Sequence, residues 1–339
     1  MIQTTQSIRV SGSVPVLLAF LGNAFLTTIK FVGFFLSGSG ALFSEAIHSM
    51  ADTMNQGLLM IGLKLSTKKA DEDFSYGYGQ ERFLWALISA CGIFFLGAGV
   101  TIYHGINSLI HGVSPDISPV IFGILIVAFV IETFTFIAAA RELKNHNPDS
   151  SLSEILEEGD PTTLAVLYED GVAVLGVMVA LASIFLAVVT GHAYWDAIGS
   201  IIIGALLGIV AIMLIAKNRT YLIGKNIPEE MKERVIEILT ADPAIEKVLD
   251  FKSSILDVHH YQVKCEVEFN GSALMKEVTK NGFIKEEYES VKDDYQEFVR
   301  FIVDYADRVP RLIGTRIDEI EKRIKSELPL IKHIDIEIN

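Results

Sequence analysis

Six apolar stretches, near residues 13–37, 41–65, 82–110, 116–140, 163–189 and 194–216, occupy the first two thirds of the chain. Each is long enough for the roughly 20 residues that a helix needs to cross a bilayer. Hydrocarbon offers no water to backbone N–H and C=O groups, so stretches of this kind fold as helices that satisfy their own backbone. From Lys217 onward the chain is charged and reads as one soluble domain. The fold class is therefore an α-helical membrane protein, with a six-span bundle over 1–216 and a C-terminal domain over 217–339. Arg9, Lys64, Lys68, Lys69, Arg82, Arg141, Lys144, Lys217 and Arg219 flank one side of the spans. The loops 38–40, 111–115 and 190–193 carry no Lys or Arg. By the positive-inside rule both termini and the soluble domain are cytoplasmic, with the cell's inner (plasma) membrane as the expected location.

Net charge is −14. Residues 1–216 hold 8 basic against 17 acidic side chains, and 217–339 hold 20 against 25, so the membrane half is the more acidic. This excludes nucleic acid as a partner and favours a cationic one. Asp71, Glu72 and Asp73 read as plain solvated charge. Cys91 falls in a span and Cys265 in an expected strand, which gives neither a disulfide framework nor a thiolate metal site. The residues before the first span match neither a cleavable signal nor an Arg-rich transit peptide.

Within the second span stand Glu45, His48 and Asp52. At 100° per residue they point within about 60° of one another, so one helical stripe presents two carboxylates and an imidazole. A charged side chain at bilayer depth costs roughly 2.5–3.5 kcal/mol on insertion scales, and such residues face a bundle interior or an ion path. The fifth span holds the adjacent acids Glu169 and Asp170. The second span descends as the fifth ascends, so at 1.5 Å per residue the two acid clusters lie at overlapping depths. One imidazole and several carboxylates without thiolate suit Zn²⁺, and accept Fe²⁺, Mn²⁺ or Co²⁺. His48, Asp52, Glu169 and Asp170 are the candidate ligands. Glu169 points about 100° from Asp170, which leaves Glu45 as the alternative fourth group. Ligands must be deprotonated to bind metal, so metal entry expels protons, and His48 titrates nearest neutrality.

Other polar residues are auxiliary candidates. Lys30 in the first span either pairs with the interior acids or snorkels to the interface. Glu132 lies near the middle of the fourth span. Asp196 opens the sixth span, where a cap of that helix accounts for it. Ser200, Gly204 and Gly208 recur every four residues and permit close helix packing. Ser37-Gly38-Ser39-Gly40 is a turn so short that the first two spans form an antiparallel hairpin. The run Phe74 to Phe83, rich in aromatics and glycine, reads as an interfacial anchor. The polar linker 143–162 contains His146 but is no His-rich metal tract.

The strings SGSGALFSEAIHSMAD, YGYGQERF and YWDAIGS resemble the cation diffusion facilitator family of metal transporters, and the likeness covers nearly the whole chain. In similar members His-x-x-x-Asp occurs on both the second and fifth spans, the fifth-span Asp six residues before a Gly. Asp170 and Gly176 match that spacing, but Val166 stands where the His would be and cannot ligate. DPTTLAVLYEDGVAVLG instead resembles the zinc transporter nine branch, which has a Glu-Asp pair there. The resemblance implies a homodimer that exports zinc or a similar ion against protons by alternating access. It also implies a ferredoxin-like cytoplasmic domain able to bind metal. Two other classes compete. An intramembrane metalloenzyme lacks a His-Glu-x-x-His set or a nucleophile–base pair here, and a non-transporting metal sensor would be distinguished by the absence of ion flux.

In the soluble part, Pro228 to Ala241 reads as a helix, Ile245–Leu256 and Val258–Phe269 as strands, and Ile331–Ile338 as a final edge strand. His259, His260, His333 and Asp335 are possible cytoplasmic metal ligands, or ordinary surface histidines with their neighbours. Residues 272–328 are mostly helical, with an insertion near 272–309. Ile284, Tyr288, Val291, Tyr295, Phe298, Ile302, Tyr305 and Val309 form a 3.5-residue seam that seeks a partner helix, across a dimer or within the subunit. Pro310 is expected to stop that helix and Ile313 to Leu328 to form another.

Overall fold

The computed structural model describes residues 13–112, 119–146, 161–279 and 283–339. Two compact units meet between Thr220 and Tyr221.

The first unit is built of long helices: α1 (Ser13–Ser37), α2 (Gly40–Ser66), α3 (Glu81–His111), α4 (Pro119–His146), α5 (Pro161–Thr190) and α6 (Tyr194–Leu222). Five of them, all but α2, are long and apolar enough to cross a membrane by length and composition. The 27-residue α2 has the length, but its polar stripe dilutes its hydropathy. The molecule is thus a multi-pass helical membrane protein with five to six apolar helices. Gly38, at φ +66°, closes the hairpin between α1 and α2 in the left-handed conformation that glycine adopts without strain. Within α3, Ile93–Gly99 form π-helical turns.

Side-chain size runs opposite to a soluble core. Ala41, Ala46, Ala90, Ala128, Ala180 and Ala211 are buried, whereas Phe35, Phe95, Tyr103 and Phe134 are between 68% and 78% exposed. Small residues inside let helix backbones approach, and large apolar ones outside meet lipid. One such close approach joins α3 and α6. A Cβ on Gly105 would lie 2.7 Å from Ile201 Cγ1, and one on Gly204 2.7 Å from Ile102 Cγ1. Ser200 Oγ donates to the Thr101 carbonyl at 3.2 Å. The Ser200-Gly204-Gly208 series therefore packs within the subunit.

The second unit holds α7 (Glu229–Thr240), β1 (Ile245–Ile255), β2 (Tyr261–Phe269), α8 (Gly271–Thr279), α9 (Phe283–Val291), α10 (Tyr295–Glu327) and β3 (Ile331–Ile338). The sheet has the order β1-β2-β3, with β1 and β2 antiparallel and β2 and β3 parallel. Val263, Cys265 and Val267 alternate inward on β2, and Ile331, Ile334 and Ile336 face inward on β3. Val235, Ile238 and Leu239 of α7 and Ile320 and Ile324 of α10 are buried with them. Burial pushes the Cys265 thiol up to about 12, so it behaves as a small apolar side chain.

Two expectations for the helical insertion are corrected. Pro310 lies inside α10, which runs on through it. The break falls earlier, at Asp294, whose extended backbone (φ −128°) and side chain cap α10 by accepting from Gln296 N at 2.7 Å. Asp294 with Glu297 three residues on is a recognisable helix start. The seam is consequently divided between two helices of one subunit, with Arg308 of α10 on Glu287 of α9 at 2.9 Å. Tyr295, Phe298, Ile302 and Val303 remain exposed. The side chains of His146, Val166 and Ile284 and the linker residues 147–160 lie outside the described residues.

Candidate metal centre

Polar groups descend α2 in tiers, and each tier ties it to a different neighbour. At its N-terminus, the Asp196 carboxylate of α6 accepts from Ser39 Oγ (2.6 Å), Gly40 N (2.5 Å) and Ala41 N (3.2 Å). The expectation that Asp196 caps its own helix is corrected: it caps α2, whose unpaired N–H groups and positive dipole end attract an anion. One turn down, Ser44 Oγ and Ser200 Oγ are 2.5 Å apart.

Next comes a buried ionic cluster. Lys30 Nζ of α1 donates to Glu45 Oε2 at 2.8 Å, Ser49 Oγ at 2.8 Å and Glu132 Oε1 of α4 at 2.6 Å. Lys30 is thus an interior counter-charge rather than a snorkelling residue. Glu45 Oε1 and Glu132 Oε2 are buried without a hydrogen-bond partner.

His48 and Asp52 follow on the same stripe. His48 is 2% exposed, neither of its ring nitrogens has a hydrogen-bond partner, and Nε2 lies 3.6 Å from Asp52 Oδ2. The electrostatic neighbours of Asp52 are Glu169, Glu132, Lys30 and Asp170. The acids of α2 and α5 are therefore brought together across the interior. A helix pair this close is possible because Gly176 of α5 has no side chain: a Cβ there would sit 2.3 Å from Glu45 Oε1.

The lowest tier contains a residue that sequence reasoning missed. Asn55 Nδ2 donates to Glu169 Oε1 at 2.7 Å and Oε2 at 2.6 Å, while Asn55 Oδ1 accepts from Ser89 Oγ of α3 at 2.6 Å. The signal was present, since Asn55 continues the 3, 4, 3 spacing of Glu45, His48 and Asp52. Among the described residues no three His, Cys, Asp or Glu side chains converge closely enough to hold an ion. His48 and Asp52 meet edge to edge, and Glu169 is bound to Asn55 instead.

In the second unit, β2–β3 register sets His333 opposite Gln262 and Asp335 opposite Lys264. Asp335 is paired with Lys264 at 3.3 Å. His260 Nδ1 lies 2.5 Å from Asp257 Oδ2, a partner the sequence reading did not include, and Asp257 Oδ1 accepts from His259 N at 2.6 Å. Burial, with His260 and Lys325 nearby, lowers the His333 pKa. The structure brings His260 and His333 near each other; Asp335 is committed to Lys264. Between α2 and α3, Asp71 is more than solvated charge: it holds Lys68 at 2.8 Å and accepts from Tyr78 OH at 2.9 Å.

A family model described as the cation efflux transmembrane domain matches residues 16–223. The mitochondrial proton-coupled zinc antiporter SLC30A9 of Homo sapiens is 33% identical over 332 residues, covering 95% of this chain and 58% of that protein. Metal tolerance protein C4 of Arabidopsis thaliana is 34% identical over 326 residues, covering 93% of this chain and 71% of its own length. Magnetosome protein MamB of Magnetospirillum gryphiswaldense is 27% identical over 230 residues, covering 68% and 73% respectively. The chain thus spans little more than half the length of the antiporter it matches.

Proposed function

The chain belongs to the cation efflux (cation diffusion facilitator) family, a family of transporters and not of enzymes, and from that premise we propose that it exchanges a divalent metal ion, zinc first, for protons across its membrane. His48 and Asp52 of α2 with Glu169 and Asp170 of α5 form the ion site. The observation that carries this reading is His48: a buried imidazole with both nitrogens unpartnered, beside Asp52, whose own electrostatic neighbours include the acids of α5. Buried nitrogens without partners are uncommon, and a metal ion or a proton is what an imidazole there would accept.

The electrostatics supply the exchange. A 2+ ion compensates clustered carboxylates in a low-dielectric interior, and once it leaves they hold protons instead. Closure of the site requires Glu169 to trade its two Asn55 bonds for the ion, and the ligand oxygens are hard donors suited to zinc and its first-row neighbours. The similar proteins named as a proton-coupled zinc antiporter and a metal tolerance protein support zinc as the cargo. On this reading the protein works as a homodimer with its ferredoxin-like domain in the cytoplasm, and the exposed stripe Tyr295, Phe298 and Ile302 of α10 is part of the contact between copies.

The test is zinc uptake into proteoliposomes holding the full-length protein. An imposed pH gradient accelerates wild-type uptake, and Asp52→Ala or Asp170→Ala abolishes it while the protein stays folded. Near-normal uptake in either variant overturns the site, and uptake indifferent to the pH gradient overturns the exchange.

A further inference from the structure

We propose that Glu132 is a proton-carrying site of its own, distinct from the metal ligands, whose charge is set against the Lys30–Glu45 ion pair. The inference rests on the proton–metal exchange proposed above and says where one of the protons resides. Glu132 sits on α4, a helix that contributes none of the four candidate ligands.

The charge count is the starting point. One ammonium meets two carboxylates, with side-chain exposure of 0% for Lys30, 0% for Glu45 and 9% for Glu132. Lys30 spends all three of its N–H donors inside the cluster, on Glu45, Ser49 and Glu132. One carboxylate balances the ammonium. The other is surplus negative charge in an enclosed, low-dielectric place, and a buried group in that position takes a proton rather than remain charged.

Geometry chooses between the two acids. Each carboxylate gives one oxygen to Lys30 and leaves the other without a partner, namely Glu45 Oε1 and Glu132 Oε2. Glu45 Oε1 abuts the α5 backbone, where even a Cβ on Gly176 would be 2.3 Å away. Of the two side chains Glu132 keeps the exposure, 9% against 0% for Glu45, so proton exchange at its covered Oε2 needs the smaller movement of the surrounding helices. The proton therefore sits on Glu132 Oε2, and Lys30 with Glu45 forms the neutral pair beneath it.

The electrostatic neighbours of Glu132 connect it to the ion site. They are Lys30 of α1, Glu45 and Asp52 of α2, and Asp170 of α5. A divalent cation arriving between Asp52 and Asp170 stabilises the anionic form of Glu132, so the Oε2–H bond breaks and the proton departs. Lys30 remains an ammonium throughout. When the cation leaves, Glu132 takes a proton back and the cluster is neutral again.

The experiment counts protons. Full-length protein in detergent is titrated calorimetrically with zinc in buffers of different ionisation heat, which gives the protons released per zinc bound. Glu132→Gln mimics the protonated acid and preserves the Lys30–Glu45 pair, so it is expected to bind zinc and release about one proton fewer than wild type. In proteoliposomes the same variant loses acceleration by a pH gradient of the size Glu132 contributes, while zinc driven by its own gradient still crosses. Should Glu132→Gln not fold, Glu45→Gln tests the same balance, because Lys30 then matches Glu132 alone, no surplus charge remains and the count again falls by about one. An unchanged count in the folded variant overturns the proposal and leaves the exchange standing. A wild-type protein that binds zinc with no proton release overturns both.

Discussion

Gly176→Ala tests the closest approach between the two acid-bearing helices. The added methyl would stand 2.3 Å from Glu45 Oε1, more than about 1 Å inside the 3.5–4.0 Å that carbon atoms prefer. Relief by side-chain movement is blocked, because the other Glu45 oxygen is held by Lys30 at 2.8 Å and the side chain is fully enclosed. α5 must therefore shift away from α2, which is the overpacking situation that costs about 1–3 kcal/mol. The assay is thermal or denaturant unfolding of the purified protein in one detergent, read against wild type. A second background isolates the cause. Glu45→Ala removes the struck oxygen and leaves Lys30 paired with Glu132 at 2.6 Å, so no uncompensated charge is created. In that background Gly176→Ala is expected to lose most of its cost, giving a coupling of about 1–3 kcal/mol between the two positions. Wild-type stability for Gly176→Ala alone, or an equal loss in both backgrounds, would refute the claim that Glu45 fixes the spacing of α2 and α5.

Two further perturbations probe the supporting contacts. Asn55→Ala removes both hydrogen bonds to Glu169 and the acceptor for Ser89; because the proposed site has Glu169 give up those bonds to reach the ion, the variant is expected to bind zinc at least as tightly as wild type, and a weakening of about 10–100-fold by calorimetry, the effect of losing a partner that stays on a bound ligand, would refute that exchange of partners. Asp71 is held at about 2 chiefly by its bond from Lys68 and then by Tyr78; because its folded pKa is depressed below the ordinary value of about 3.9, its contribution to loop order is present above that value and lost as pH falls through about 2. Hydrogen exchange at the Asp73 and Phe74 amides, which donate to Asp71 Oδ1, should accelerate in Asp71→Asn at neutral pH, and unchanged exchange would count against this clasp.

Periodicity made the long helices and the alternating strands legible, because each depends on residues adjacent in sequence. The stripe of Glu45, His48 and Asp52 was legible for the same reason. Contacts made at long range were not. Asp196 caps a helix that begins 156 positions earlier, and a carboxylate in a first turn looks identical whether it serves its own helix or another. Lys30 could be read as snorkelling or buried until α4 placed Glu132 against it. Asn55, an uncharged amide in an apolar helix, carries little signal by itself, although its spacing extends the stripe. Pro310 misled because a proline forfeits one backbone bond and crowds one carbonyl, and α10 runs through that defect. The true break at Asp294 lay in a capping pattern hidden beneath a heptad count.

The tiers along α2 also constrain how the helix can move. Its N-terminus is clamped to α6 by three hydrogen bonds to the Asp196 carboxylate, and just below that Lys30 joins it to α1 and α4. Charge-assisted bonds are the stronger kind, and buried ones lose most when left unmade. Toward its C-terminal half, among the described residues, the polar bonds of α2 to α5 and α3 run through one side chain, Asn55, and no ammonium takes part. On the proposed site, Glu169 is also the group that leaves Asn55 to reach an ion beside His48 and Asp52. Metal binding there would loosen α2 from α5, because it breaks the Asn55–Glu169 bonds and leaves the bonds of Asp196 and Lys30 in place.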